Sequence, residues 1–337
     1  MQQTPEEIYT VDPPVKKRKK GIIVWLIIIV VIVVFAILFN AITHSIIGKD
    51  KSPIPNKPYI GVLSVKGSIT SINSDMWGRR IGYQHDFTIQ TIDRLIKDGN
   101  NKGLILFVDS PGGGIYESDE LYLKIKEYKE KTMRPVYAYM GSMAASGGYY
   151  ISTPADKILA NRNCWTGSIG VTISTIFDIS EFLERYGIKS NTITAGRNKA
   201  MGSMVEPLTE EQIAIFQSLV DEAYYQFVNI VSEERDMDIE TVIELADGRI
   251  YTAKQALELD LIDGISSYDS TISDIKSSYG LEDCLVIEIS YKDTSILNRL
   301  FAKLPMPDIP MNEAATILSL INKDVDFPIS YTCEILN

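Results

Sequence analysis

Residues 104–114 read LILFVDSPGGG: a uniformly apolar run from Leu104 to Val108 that ends in a polar, glycine-rich turn. A run this short and uniform is typical of a strand buried on both faces, as in parallel sheets covered by helices. After the turn, apolar residues recur at helical spacing from Ser118 to Lys131, and Val136 to Met140 is a second apolar run. The segment predicts a strand, helix, strand unit, and repetition of this unit predicts an α/β fold.

Further elements follow on both sides of this unit. The predicted strands are Tyr59–Val65, Lys157–Ala160, Val171–Ser174, Asn191–Thr194 and Cys284–Ile289, and the predicted helices are Phe87–Lys97, Ala144–Thr153, Ile179–Tyr186 and Ala253–Leu259. The longest helix should begin after Thr209, whose hydroxyl can cap it while Gln212 reaches back.

The composition is that of an ordinary globular protein, with 337 residues, 45% hydrophobic and 23% charged. These fractions exclude a multi-span membrane protein. The net charge of −11 includes a basic block at residues 16–20, so the remaining chain is more acidic still. Nucleic acid is therefore not expected as a partner.

The basic block is followed by eighteen residues, Ile22 to Phe39, without charge or proline. This is nearly the ~20 residues that span a bilayer core. We predict a single transmembrane anchor in the cell membrane over residues 21–43, with a cytoplasmic segment over 1–20 and the catalytic domain on the extracytoplasmic side. A cleaved signal peptide is the alternative, but its apolar core is shorter and ends at a small-residue site.

Two less informative segments flank the main domain. Residues 44–58 are polar and rich in proline, as in an extended linker, and residues 293–337 form an irregular tail to which the sequence assigns no role. The three cysteines, Cys164, Cys284 and Cys333, have neither metal-ligand nor disulfide-framework spacing. No metal or other cofactor is predicted.

The choice of catalytic groups is narrow because the chain has only two histidines. His44 lies at the membrane edge, and His85 lies in a polar loop where a solvated or capping role is expected. No G-x-S-x-G motif is present.

Ser146 is the best nucleophile candidate, because small residues flank it at the start of a predicted helix. The glycine turn at 112–114 could supply further amides to an oxyanion hole. Tight helix packing is the alternative reading of Ser146.

A serine without a suitable histidine needs another base, and lysine is the known alternative. Lys199 is the best candidate, because it lies between small and apolar residues in a loop; an ordinary surface lysine is the other reading. The S-x-x-K match at Ser273 and Lys276 falls in an amphipathic helix without a glycine loop, and we attribute it to chance.

Together these segments resemble bacterial signal peptide peptidase A. The resemblance rests on the order and spacing of five motifs, and it extends from about Tyr59 to Tyr268. The motifs are DSPGGG at 109–114, GSMAASGGYY at 141–150, TGSIGV at 166–171, the Lys199 loop, and DGR at 247–249.

The resemblance implies a ClpP/crotonase-like serine peptidase domain over residues 59–292, which degrades signal peptides left in the membrane. It assigns Ser146 as nucleophile, Lys199 as general base and Ser168 as the hydroxyl that orients the lysine. It places the oxyanion hole at the amides of Gly147 and of Gly113 or Gly112. No cofactor is implied. The expected substrates are peptides whose small or apolar side chains enter the binding pocket.

Two alternatives and one further expectation remain. The same fold could serve a crotonase-type acyl-CoA enzyme, or a catalytically inactive scaffold that binds apolar peptides.

Longer members of the family resemble two fused copies of this domain, with serine and lysine in different halves. We therefore expect a ring-shaped homo-oligomer in which Ser146 of one chain meets Lys199 of the next.

Overall fold

The computed structural model describes residues 29–30, 32–34, 56–74, 80–291 and 329–333. It divides into two units, Met1–Lys51 and Ser52–Asn337. In the first unit, the few described residues are helical. Within the described parts of the chain, no helix combines the length and apolar character that crossing a bilayer requires. The anchor and most of the linker fall outside the described residues and stay predictions.

The second unit alternates strands and helices. Its strands are β1 Tyr59–Lys66, β2 Ile72–Ser74, β3 Arg80–Gln84, β4 Asn101–Ser110, β5 Gly112–Gly114, β6 Val136–Ala145, β7 Lys157–Ala160, β8 Trp165–Gly167, β9 Thr172–Ile173, β10 Ile250–Thr252, β11 Gly264–Ile265, β12 Leu285–Ile289 and β13 Ile329–Thr332. Its helices are α1 His85–Lys97, α2 Ile115–Thr132, α3 Gly147–Tyr150, α4 Ser180–Arg185, α5 Glu210–Arg235, α6 Ile239–Leu245, α7 Ala253–Glu258 and α8 Tyr268–Tyr279.

A mainly parallel sheet of eight strands forms the centre. Its main path runs β10-β8-β6-β4-β1-β12, with β7 on β6 and β11 on β7. Among the described strands of this sheet, only β10 and β8 pair antiparallel. The predicted α/β class is confirmed, since strands β1, β4 and β6 pair in parallel.

The sheet is covered on both faces, as the apolar runs predict. Alternate residues of β4 enter two separate clusters: Leu104 and Leu106 pack with α2 and α5, whereas Ile105 packs with Ile275 of α8. Burial of both faces explains why the strand is apolar at every position from 104 to 108.

Strand β6 changes partner along its length, and this positions the residues that follow it. Its first half pairs with β7, and its last three residues, Met143 to Ala145, pair with β8. The carboxyl ends of β4 and β6 therefore lie side by side, where parallel sheets commonly place binding sites.

Most predicted elements are confirmed, but two are wrong. Residues 144–145 continue strand β6 because they pair with β8, so the helix predicted over Ala144–Thr153 is only the single turn Gly147–Tyr150. Residues 191–194, which were predicted to form a strand, are irregular and exposed. No described strand pairs with them. Strand β13, inside the segment read as an irregular tail, was missed.

Candidate active site

Ser146 lies at the sharp turn between β6 and α3, with a strained backbone. Its φ of 53° and ψ of −118° match the first central residue of a type II′ turn, a position that glycine dominates. Its side chain is only 1% exposed, and its own amide donates to the Gly167 carbonyl at 2.7 Å. The geometry is that of a nucleophile elbow, although Ala144 stands where the G-x-S-x-G motif has its first glycine.

The glycine turn after β4 presents one amide toward a neighbouring strand. Gly112 N–H donates to Ser110 Oγ at 3.1 Å, and Gly114 N–H donates to the Ile69 carbonyl at 2.8 Å. Gly113, between them, lies opposite Tyr331 of β13 in an antiparallel pair. Because Cys333 N–H donates to the Pro111 carbonyl, the alternation of antiparallel pairing makes Gly113 and Tyr331 a hydrogen-bonded pair.

Glycine is required here because three chain segments meet. A methyl group on Gly112, whose φ is +103°, would lie 1.9 Å from the Tyr331 carbonyl oxygen and 2.7 Å from the Gly147 nitrogen. A methyl group on Gly147 would lie 3.2 Å from the Gly113 nitrogen. The Gly112–Gly113 turn therefore packs directly against Gly147, beside the Tyr331 carbonyl.

Strand β13 fills the groove, by which we mean the channel between β5 and β9. It pairs antiparallel with Gly112–Gly114 on one edge and with Thr172–Ile173 on the other. A backbone hydrogen-bonded on both edges is the geometry by which proteins bind extended peptides. The alternation of apolar and polar residues in Ile-Ser-Tyr-Thr-Cys, 329–333, was the sequence signal that could have revealed this strand.

A cavity of about 490 Å³ opens beside Ser146. Ser168 lines it and has, like Ser146, a positive φ, of 49°; its amide donates to the Arg249 carbonyl at 2.7 Å. The structure thus brings Ser146 and Ser168 to one cavity, with the Asp247–Gly248 turn on its wall. Tyr224 of α5 also lines this cavity and was not anticipated.

Lys199 is not brought to this cavity within the described chain. It lies exposed in an irregular loop and is absent from the cavity lining. Ser273 and Lys276 lie in helix α8, as expected for a chance match.

The expectation of a solvated or capping His85 is wrong. His85 is buried, with Nδ1 2.6 Å from the Tyr83 hydroxyl and Nε2 2.7 Å from Glu120 Oε2. The contact with His85 is the largest of the effects that lower the pKa of Glu120. His85 does not line the cavity beside Ser146 and instead joins helices α1 and α2.

The described residues contain no cluster of acidic, histidine or cysteine side chains suited to a metal ion. All three cysteines are buried and form no disulfide bond. Burial raises the pKa of Cys164 to about 12, so its thiol stays protonated at neutral pH.

The sequence is similar to several proteases. The family model described as peptidase family S49 matches residues 128–282. "Putative signal peptide peptidase SppA" of Enterococcus faecium is 40% identical over 226 residues, which are 67% of this chain and 65% of that protein. "Protease 4" of Haemophilus influenzae is 33% identical over 225 residues, 65% of this chain and 34% of that protein.

The matched part of the chain spans just under two thirds of the Enterococcus relative and about one third of the Haemophilus one. The family model covers β6, the turn at Ser146, Ser168, the Lys199 loop and α5. The elbow at Ser146 and the cavity beside it are therefore within the matched region. On these similarities, the chain belongs to peptidase family S49.

Proposed function

We propose that the chain is a serine peptidase in which Ser146 is the nucleophile and the amides of Gly113 and Gly147 stabilise the oxyanion. One observation carries the proposal: a buried serine in a strained strand-to-helix turn is followed by Gly147, which packs against a glycine turn, and in that turn Gly113 is paired with an extended strand. Gly113 is preferred over Gly112 because the Gly112 amide is engaged by Ser110.

In the proposed reaction, Ser146 Oγ attacks the carbonyl carbon of a peptide bond while a neutral lysine takes the hydroxyl proton. The C–N bond then breaks, and the lysine returns the proton to the leaving amine. Water, deprotonated by the same lysine, hydrolyses the acyl-enzyme. Amides that face the developing oxyanion are worth several kcal/mol in such reactions.

Lys199 is the proposed base, and we propose that it reaches Ser146 from a neighbouring chain. This is supported by its exposed position outside the cavity that contains Ser146 and Ser168. A heterologous contact of this kind gives a ring when its rotation closes, and Ser168 would orient the incoming lysine amine.

Signal peptides and other apolar peptides are the proposed substrates, with the predicted anchor holding the domain at the outer face of the membrane. A second cavity of about 340 Å³, next to β9, supports apolar substrates; Ile173, Phe216 and Val220 are among its lining residues. The name of the Enterococcus relative also points to signal peptides. Anchoring would raise the local concentration of peptides released in the membrane.

The two alternatives make different demands on the site. A peptide-binding scaffold needs the groove but no reactive serine, and an acyl-CoA enzyme needs a nucleotide site in place of paired strand edges. Pairing of β13 on both edges favours a peptide backbone as ligand.

Labelling with a fluorophosphonate that carries a small alkyl group tests the proposal. Wild-type protein should be labelled at Ser146, and Ser146→Ala should abolish both labelling and hydrolysis of a fluorogenic peptide. Ser142→Ala is the matched control, because Ser142 lies in the same segment but is exposed and donates to Asp109. Equal labelling of the Ser146→Ala protein would refute the proposal, and an unlabelled but peptide-binding wild type would establish the scaffold.

A further inference from the structure

The three glycines of β5 use their backbone amides differently. A parallel bridge joins Ile69 to Gly113 through the groups on either side of Gly113. In this bridge, Ile69 N–H donates to the Gly112 carbonyl at 2.8 Å, and Gly114 N–H donates to the Ile69 carbonyl at 2.8 Å. Because the hydrogen-bonding groups of successive strand residues point to opposite edges, the N–H of Gly113 points away from Ile69 and toward the groove.

The remaining amide, that of Gly112, is held by a side chain. Gly112 N–H donates to Ser110 Oγ at 3.1 Å, and the Ser110 hydroxyl donates to the Gly112 carbonyl oxygen at 3.4 Å. Pro111, between the two residues, has no N–H to offer. Serine side chains stabilise turns by bonding to the backbone two residues further on in this way.

Ser110 is packed between the glycine turn and helix α3. It is 0% exposed, and its backbone lies beside Ala144 of β6. A methyl group on Gly148 would lie 2.8 Å from the Ser110 carbonyl oxygen and 3.5 Å from its Cβ. Ser110 therefore packs against the turn that follows Ser146 and bonds to the turn that contains Gly113. These two segments carry the proposed oxyanion amides.

A run of three glycines needs such a restraint. Glycine adopts positive and negative φ about equally, and Gly112 has a φ of +103°. Rotation of the backbone at Gly112 would turn the amide of Gly113 away from the groove. An oxyanion donor is most effective when it is oriented before the reaction begins. The Ser110 hydroxyl supplies a restraint that the glycines lack.

We propose, on the basis of the function proposed above, that Ser110 is a positioning residue for the peptidase reaction. By holding the amide of Gly112, its hydroxyl fixes the turn in the conformation that presents the Gly113 amide to the oxyanion. Ser110 acts through the glycine turn and does not itself contact the reacting atoms. The sequence left open whether Gly112 or Gly113 supplies the amide, and the side chain of Ser110 makes that choice.

Ser110→Ala tests this role, and Ser118→Ala is its matched control. Ser118 is also 0% exposed, and a methyl group on Gly147 would lie 2.6 Å from its Oγ. Among the residues that the structure describes, the Ser118 hydroxyl has no hydrogen-bond partner. Both substitutions therefore remove a buried hydroxyl close to the proposed oxyanion hole, but only Ser110→Ala releases the Gly112 amide.

In Ser110→Ala, kcat for a fluorogenic peptide should fall by about 10- to 100-fold, which is less than the ~10²- to 10³-fold cost of removing an oxyanion donor outright. KM should change little, because the affected interaction is made in the transition state. Ser118→Ala should keep the wild-type kcat. An unchanged kcat in Ser110→Ala, an equal loss in both variants, or a rise in KM alone would overturn the role of Ser110.

A second variant separates hydrogen bonding from packing and does not depend on the folding of the alanine variant. Ser110→Cys fills the space of the serine, but its sulfur is a weak hydrogen-bond acceptor. It should lose kcat as Ser110→Ala does, with circular dichroism showing that it is folded at the assay temperature. A folded Ser110→Cys protein with the wild-type kcat would show that the hydroxyl has no positioning role.

The fluorophosphonate adduct gives a readout that packing alone would not move. The phosphonyl oxygen of labelled Ser146 takes the place of the oxyanion, so its phosphorus NMR resonance should shift in Ser110→Ala and stay at the wild-type position in Ser118→Ala. An unshifted resonance in Ser110→Ala would overturn the positioning role alone. A wild type that is neither labelled nor active would instead refute the peptidase function on which this role rests.

Discussion

The backbone at Ser146 stores strain that a glycine would not. A residue with a side chain in this conformation costs about 1–3 kcal/mol, and the surrounding structure must hold it there. The β6–β8 pairing before Ser146 and its amide bond to Gly167 supply this restraint. The chain on either side of Ser146 therefore fixes the orientation of this residue.

Substitution at this position should separate stability from activity. Ser146→Gly and Ser146→Ala should both be inactive, but the glycine variant should have the higher free energy of unfolding, by about 1 kcal/mol, since relief of strain exceeds the entropic cost of glycine. Urea denaturation followed by circular dichroism measures the difference. An alanine variant as stable as the glycine variant would show that position 146 carries no strain.

For individual residues, the sequence indicated which serines belong to the candidate site better than it indicated which side chains surround a given residue. Ser146 could be chosen because small residues flank it, Ser168 was assigned through the family resemblance, and both line one cavity. His85 was misjudged because its partners Tyr83 and Glu120 come from different elements, which no local pattern reveals.

Contacts with two lysines hold one carboxylate of helix α2 ionised. Glu127 lies 2.7 Å from Lys124 Nζ and 2.6 Å from Lys131 Nζ. Hydrogen bonds from Lys124 and Lys131 lower the pKa of Glu127 to about 2.

Because the folded pKa lies below the ~4.3 of an unfolded glutamate, the stabilisation is present above about pH 4.3 and is lost as the pH falls toward 2. Glu127→Gln should therefore lower the free energy of unfolding at pH 7 by less than about 1 kcal/mol, since the pair is partly exposed. The difference from wild type should shrink between pH 4.3 and 3. Urea titrations across that range, with exposed Glu130→Gln as control, measure it; a difference that grows on acidification would contradict the assignment.

Elements defined by local rules were predictable, and those defined by distant pairing were not. The capping box of α5 at Thr209 and Gln212 forms as the sequence predicts, because both partners lie within one turn. Strand β13 was missed because its partners, β5 and β9, precede it by more than 150 residues. The small residues at 144–145 favoured helix locally, and pairing with β8 overrode that preference.

At the scale of the whole molecule, the proposed site is incomplete in one chain. Mixed assemblies of Ser146→Ala and Lys199→Ala chains should regain activity at about a quarter of sites, because random heterologous contacts pair an intact serine with an intact lysine at that frequency. Co-expression with two different tags, double purification and a fluorogenic peptide assay measure the gain. Assemblies of either variant alone are the controls, and inactive mixed assemblies would place the two residues in one chain or remove one of them from the mechanism.

The order of the groove's parts along the chain has a consequence for newly made protein. Strands β5 and β9, the two edges of the groove, end at Gly114 and Ile173, whereas β13 begins at Ile329. During synthesis, every wall of the groove therefore leaves the ribosome before the strand that fills it. A chain that folds in the order of its synthesis would form the two edges of the groove before the strand that occupies it, and a peptide that arrived in that interval would meet no competitor.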